Sequence, residues 1–253
     1  AALAAALAAA LAGCASKSGN NMENWSPGRI HSEAKEEMSA GSYDKAIPML
    51  ETLEGRAAGT PLAQQAQLEK AYAQFKNGDK AEAVGTLDRF IRLHPASPAL
   101  DYALYMKGVI HFNDDMGLFA SIARQDLSER DQKAAKEAYE SFSELVTRFP
   151  DSRYAPDARA RMRYTVNALA QYEVHVARYY YRRAAYVAAI NRAQQALKDY
   201  RDAPALEEAL HILADSYDKL GMTDLRDDAR RVLELNYPGG SVKTKSKPWW
   251  QIW

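Results

Sequence analysis

A pattern of small, aromatic and turn-forming residues that returns at intervals of about 34 positions constrains this chain more than any other feature. It is clearest over 62–95. There Leu68, Ala71, Tyr72 and Phe75 fall at helical spacing, Asn77-Gly78-Asp79 interrupts them, and Ala83, Leu87 and Phe90 resume before Pro95. The spacing predicts helix, tight turn, helix, stop. Ile30, Ala34 and Met38, a break at Ala40-Gly41-Ser42, then Ala46, Leu50 and Leu53 form an earlier copy, with Ala34 to Ala46 spaced as Ala71 is to Ala83. Later, Leu210, Leu213, Ala214 and Tyr217 precede Gly221, and Pro238 follows that glycine at the interval between Gly78 and Pro95.

The junctions between copies share a register as well. His94-Pro95-Ala96-Ser97 leads to Ala103 as Phe149-Pro150-Asp151-Ser152 leads to Ala158, and Tyr200 stands at the same distance from Ala209. Proline stops one helix and serine is placed to cap the next. Small residues at helix crossings, aromatics beside them and a closing proline are the tetratricopeptide signature. The apolar share of 47% rests on Ala, Leu and Tyr more than on β-branched residues, which favours helix. The expected fold is all-α, a tetratricopeptide-repeat superhelix of about five helix-turn-helix repeats, each burying its apolar face against the next. Repeats 1–3 take residues 28–150 and repeats 4–5 take 151–240.

Two stretches depart from the period. Ala138, Phe142 and Leu145 make a second helix whose partner, Leu104 to Phe112, lies far upstream, so 113–132 reads as an inserted loop or short helix in repeat three. Pro156 to Arg183 reads as one long helix, with Tyr186 to Tyr200 as its partner.

Ala1 to Ala12 is an uncharged Ala/Leu run, too short for a bilayer span of about 20 residues, and reads as the core of a signal peptide over residues 1–13. Without a Met or a basic segment before it, this leader is expected to be truncated. It ends in Leu11-Ala12-Gly13-Cys14, which resembles the lipobox of bacterial lipoproteins. Cys14 is the sole cysteine, so it has no partner for an internal disulfide or a thiolate zinc site. The expectation is covalent diacylglycerol and N-acyl chains on Cys14, because two or three chains anchor stably where one does not. Ala15 and Ser16 follow without an aspartate, the pattern in such signals that points to the outer membrane. Residues 14–27 then form a polar lipidated linker.

The remaining residues give no catalytic constellation. His31, His94, His111, His175 and His211 are scattered, Asp114-Asp115 reads as a solvated loop pair, and no phosphate loop, nucleophile elbow or triad is present in sequence. No enzyme activity, metal or other cofactor is expected. His94, at the position held by Phe149 and Tyr200, reads as a packing or capping residue. With 33 basic and 33 acidic residues the chain has no field to gather a polyanion, and no nucleic acid partner is expected.

The neutral total hides two poles. Between 159 and 192 lie Arg159, Arg161, Arg163, Arg178, Arg182, Arg183 and Arg192 against the single acid Glu173, whereas 23–54 is acidic. Arg178-Tyr179-Tyr180-Tyr181-Arg182-Arg183 joins the residue types most enriched at protein interfaces, although tyrosines packed between helices would give the same run. The basic, aromatic tail 241–253 joins Lys243, Lys245 and Lys247 to Trp249, Trp250 and Trp253. Three placements stay open for it: folded back on the last helix, docked on a partner, or in the membrane interface.

Three stretches, DRFIRLHPASPALDYALYMKG (88–108), LSERDQKAAKEAYESFSELVTRFPDSRY (127–154) and QYEVHVARYYYRRAAYVAAINRAQQALKDY (171–200), resemble the BamD (ComL) family of lipoproteins of the β-barrel assembly machinery of Gram-negative bacteria. The resemblance implies an outer-membrane, periplasm-facing lipid anchor. It also implies a scaffold that binds the POTRA domains of the barrel subunit through its C-terminal repeats and unfolded barrel clients through its N-terminal repeats, beside other lipoproteins of the complex. Carried onto this chain, the barrel-subunit surface falls on Arg192, Arg182, Arg183 and Tyr186, and the client surface on Tyr72, Phe75, Lys76, Arg92, Tyr102 and Tyr105. The end Trp-Gln-Ile-Trp resembles a client signal. A periplasmic adaptor for the cell wall or DNA uptake is the alternative.

Overall fold

The computed structural model describes residues 22–112 and 129–239. After a 3-10 turn at Met22–Asn24, these residues form ten α-helices and no strand: α1 (Pro27–Ser39), α2 (Tyr43–Arg56), α3 (Pro61–Asn77), α4 (Lys80–Leu93), α5 (Leu100–His111), α6 (Glu129–Arg148), α7 (Ala155–Arg182), α8 (Tyr186–Asp199), α9 (Leu206–Lys219) and α10 (Thr223–Asn236). The chain divides into two compact units after Thr86, inside α4, a boundary that the repeat spacing does not announce. The fold class is all-α, built of helix-turn-helix pairs that recur as the sequence period predicts. None of the described helices is long and apolar enough to cross a membrane.

One turn recurs in four hairpins. At Gly41, Gly78, Ala184 and Gly221 the backbone enters the left-handed region, with φ of 77°, 95°, 58° and 71°. In each, the amide of that residue donates to the carbonyl three back, and the next amide to the carbonyl five back from itself. At Gly78 and Asp79 these bonds reach Phe75 and Gln74; at Ala184 and Ala185 they reach Tyr181 and Tyr180. This closure satisfies helix-end carbonyls and favours glycine, which has no Cβ to clash. Ala184 is the exception, a residue with a Cβ in the left-handed position that glycine takes in the other three turns, and the sequence gives no sign of it.

The junctions repeat equally well. The amides of Thr60, Ser97, Ser152 and Ala203 donate to the carbonyls of Ala57, His94, Phe149 and Tyr200, and those of Ala63, Leu100, Ala155 and Leu206 donate three residues back in turn. Ala103, Ala158 and Ala209, the small residues read from the sequence, are all fully buried. The expected serine caps are not formed. Ser97 and Ser152 accept from the amides of Ala99 and Tyr154, before the helices begin, because two further junction residues separate each serine from α5 or α7. Side-chain caps stand instead at Ser26 and Thr60, each followed by a proline at the first helical position, where the missing N–H costs no hydrogen bond.

In the first unit, α1 packs on α2 and α2 on α3 around Ile30, Ala34, Ala46, Leu50, Leu53, Ala66 and Ala73. In the second, α5 and α6 pack on each other despite the residues between them, with Phe142 at the centre of a core of Leu100, Leu104, Leu145, Ala155 and Ala158. Gly108 of α5 makes this approach possible: a Cβ there would stand 2.5 Å from Cε1 of the fully buried Phe142. α6 starts at Glu129, so the last residues of the 113–132 insertion belong to a helix; 113–128 lie outside the described residues. Its early start lengthens the amphipathic face carrying Ala135, Ala138, Phe142 and Leu145. The long helix of the sequence reading is α7, about 42 Å at 1.5 Å per residue, which packs on α6, α8 and α9.

Candidate protein-binding surfaces

The hairpin of α7 and α8 sorts the Arg-Tyr run into core and surface. Tyr180 and Tyr181 pack against the core of Ala177, Ala189, Leu213 and Tyr217, and burial pushes the Tyr181 phenol up. Tyr179 points out and carries the Arg183 guanidinium 4.8 Å from its ring centre. Arg178 turns inward to Glu208 of α9, with Nε 2.8 Å from Oε1 and Nη2 2.7 Å from Oε2, a paired geometry that fixes both groups. The sequence reading passed over Arg178 as a member of a charge run; its partner lies thirty residues on, where only the fold brings it.

Of the residues expected to meet the barrel subunit, Arg182 and Arg183 are exposed at the hairpin tip beside Tyr179 and Val187, and Tyr186 is half-buried with its ring edge-on to Tyr181 at 5.6 Å. Arg192 sits apart from them, six residues or about 9 Å further along α8, where its Nη1 donates to Glu173 Oε2 of α7 at 3.1 Å. The set is therefore two groups on one hairpin.

The client residues fall in both units. In the first, Tyr72 meets Tyr43 edge-on at 6.3 Å, Phe75 is half-buried, and Lys76 is exposed in the last turn of α3. In the second, Arg92 is exposed near the end of α4. Tyr102 and Tyr105 of α5 both meet Tyr154, Tyr105 stacked on it at 4.7 Å and 18°. The Tyr105 hydroxyl donates to Asp157 Oδ2 at 2.8 Å, and Arg161 Nε donates to the same oxygen at 2.7 Å. Burial pushes the Asp157 carboxyl up, but the hydrogen bonds from Arg161 and Tyr105 outweigh it and hold the group below its usual range. Arg161 also lies 4.9 Å from the ring centre of Phe112, which meets Tyr164 edge-on at 5.7 Å.

Thus α5 and the start of α7 carry a wall of Tyr102, Tyr105, Phe112, Tyr154 and Tyr164 edged by arginine. Sequence reasoning found its first two members. Tyr154 had a signal, since it stands in the junction before α7, but its contact with α5 depends on helix packing. Aromatic residues and arginine are the types enriched at protein interfaces, where they offer large rigid area and directed hydrogen bonds.

Three of the five histidines make these contacts: His31 Nε2 lies 2.8 Å from Glu69, His111 Nδ1 lies 3.1 Å from Glu137, and His94 packs on Phe90 with ring centres 5.0 Å apart. No group of three His, Cys, Asp or Glu that could hold a metal occurs among the described residues. Cys14, Asp114-Asp115 and the tail 241–253 lie outside the described residues.

Residues 23–233 match the family model YfiO, described as outer membrane lipoprotein. Outer membrane protein assembly factor BamD of Neisseria meningitidis serogroup A is 43% identical over 99% of this chain and 98% of its own length. The protein of that name from Vibrio cholerae is 37% identical over 83% and 87%. A kinesin light chain structure from Podosopora anserina with TPR-like repeats aligns at a TM-score of 0.42 and 17% identity, over 84% of this chain and 98% of its own. With two thirds or more of each BamD sequence matched at these identities, the chain belongs to the outer membrane lipoprotein family YfiO, which includes these BamD assembly factors.

Proposed function

We propose that this protein is a non-catalytic lipoprotein scaffold of the outer-membrane β-barrel assembly complex. It hangs from the membrane by acyl chains on Cys14, faces the periplasm, and works beside other lipoproteins of the complex. The observation that carries the reading is similarity along almost the whole chain to proteins named for outer membrane protein assembly. In this proposal the α7–α8 hairpin, through Arg182, Arg183, Tyr186 and Arg192, holds the POTRA region of the barrel subunit. The aromatic residues Tyr72, Phe75, Tyr102 and Tyr105, with Lys76 and Arg92, receive unfolded barrel clients. Exposed arginine and tyrosine at the hairpin and an arginine-edged aromatic wall on α5 are chemically suited to these tasks.

Photocrosslinking in cells separates the two roles. A crosslinker replacing Val187 is expected to capture the barrel subunit, and one replacing Tyr102 to capture newly exported barrel proteins. Capture of neither class from either position would overturn the reading. Replacing Cys14 with alanine is expected to release the chain into the soluble periplasm; retention in the outer membrane would refute the anchor.

A further inference from the structure

The last helix leaves an apolar flank open. Ala229 is the buried residue of α10 and marks the side turned to α9. Leu225, Val232 and Leu235 are 46%, 43% and 75% exposed. At 100° per residue they fall within one sector of about 80°, beside the buried side rather than opposite it. Met222 and Leu220, in the turn before α10, are exposed too and extend the apolar surface past the helix start. A water-facing stripe of five large apolar residues along the last described helix and the turn before it calls for a cap, because terminal repeats otherwise present a polar outer face.

We propose that the cap is the chain's own aromatic end, Trp249, Trp250, Ile252 and Trp253, packed along this flank of α10. Covalent reach permits it. From Gly239, the last described residue, ten residues lead to Trp249 and span at most about 35 Å extended. Leu225 lies about 17 Å back along the helix axis from Asn236, well inside that radius. The tether also holds the tail at a high effective concentration beside α10, which a separate partner must match by affinity. Chemistry fits as well: three indoles and an isoleucine need apolar area, and the flank supplies it. Charge favours the docking, since α10 carries Asp224, Asp227, Asp228 and Glu234 against Arg226, Arg230 and Arg231, while the segment before the tryptophans brings Lys243, Lys245 and Lys247.

The test uses the full chain with Trp25→Phe, so that only the three tail tryptophans emit. Acrylamide quenching is measured in this protein and in the same protein carrying Leu225→Ser, Val232→Ser and Leu235→Ser. Protected tryptophans that become several-fold more quenchable in the triple variant, at unchanged helicity and independent of protein concentration, are the expected result. Equal quenching in both proteins overturns the proposal. So does protection lost on dilution, which assigns the flank to a second copy, and so does protection seen only with vesicles and relieved by brominated lipid, which assigns the tail to the membrane. Should the triple variant lose helicity, hydrogen exchange of α10 decides: with Trp249, Trp250 and Trp253 all replaced by serine, α10 amides are expected to exchange faster, and unchanged exchange refutes the cap.

Discussion

Arg192 and Glu173 form an ion pair between adjacent helices in which the two members are unequally buried: the glutamate side chain is 8% exposed and the arginine side chain 45%. The buried carboxylate orients a guanidinium that still faces solvent. An arginine held in this way loses less freedom on meeting a partner's carboxylate than a free one does.

Arg192→Glu therefore has two effects. It sets a second carboxylate against Glu173 and is expected to cost about 1–2 kcal/mol of stability, between the value of an exposed pair and that of a fully buried one because the arginine is half in water. On the proposed function it is also expected to weaken binding to the POTRA partner, by about 2 kcal/mol or more. Glu173→Gln, which keeps the arginine, is the control: binding titrations should show most of the affinity retained. Undiminished binding by Arg192→Glu would remove Arg192 from the interface.

Gly108→Ala tests the closest approach in the second unit. Alanine is worth about 1 kcal/mol over glycine in an exposed helix. Here its Cβ would stand 2.5 Å from the ring of the fully buried Phe142. Overpacking costs about 1–3 kcal/mol, so the net change is a loss of about 1 kcal/mol and a fall in Tm of a few degrees. A rise in Tm would mean that α5 and α6 lie further apart.

At the hairpin tip the opposite change should stabilise. Ala184 holds φ at 58° where the other three turns have glycine. Left-handed strain at a residue with a Cβ is about 1–2 kcal/mol, and the extra freedom that glycine gives the unfolded chain offsets part of it. Urea unfolding of Ala184→Gly is expected to show a gain of about 0.5–1 kcal/mol; a loss would contradict the turn geometry.

Acid should weaken the second unit through His111. Burial lowers its pKa, and Glu137 at 3.1 Å only partly opposes this. The folded chain then takes up this proton at lower pH than the unfolded chain. The contribution is complete above the unfolded value of about 6.5 and is lost as pH falls through it towards the folded value. Between pH 7.5 and 5.5 the urea midpoint of the native chain should fall more than that of His111→Gln. Equal falls would exclude the histidine as the cause.

What the sequence made legible is what local hydrogen bonding decides. Gly78 and Gly221 mark their turns because the left-handed position favours glycine, and the junction register of His94, Phe149 and Tyr200 follows from stops that act within one turn. Ala184 escaped notice because an alanine carries no turn signal. The pairing of Arg192 with Glu173 and of Arg178 with Glu208 was hidden for a different reason: both cross between helices, and their register is set by packing. Tyr102 and Tyr105 could be singled out as a pair, but Tyr154, Phe112 and Tyr164 join them only because α5, α6 and α7 close around Gly108 and Phe142.

Affinity purification of the tagged chain from detergent-solubilised outer membranes tests the central claim most directly. The expected result is co-purification of a β-barrel protein bearing POTRA domains, lost when Arg182, Arg183 and Arg192 are replaced together by glutamate in a variant that still fractionates with the outer membrane. Recovery without any such barrel protein, or with peptidoglycan or DNA in its place, would contradict it.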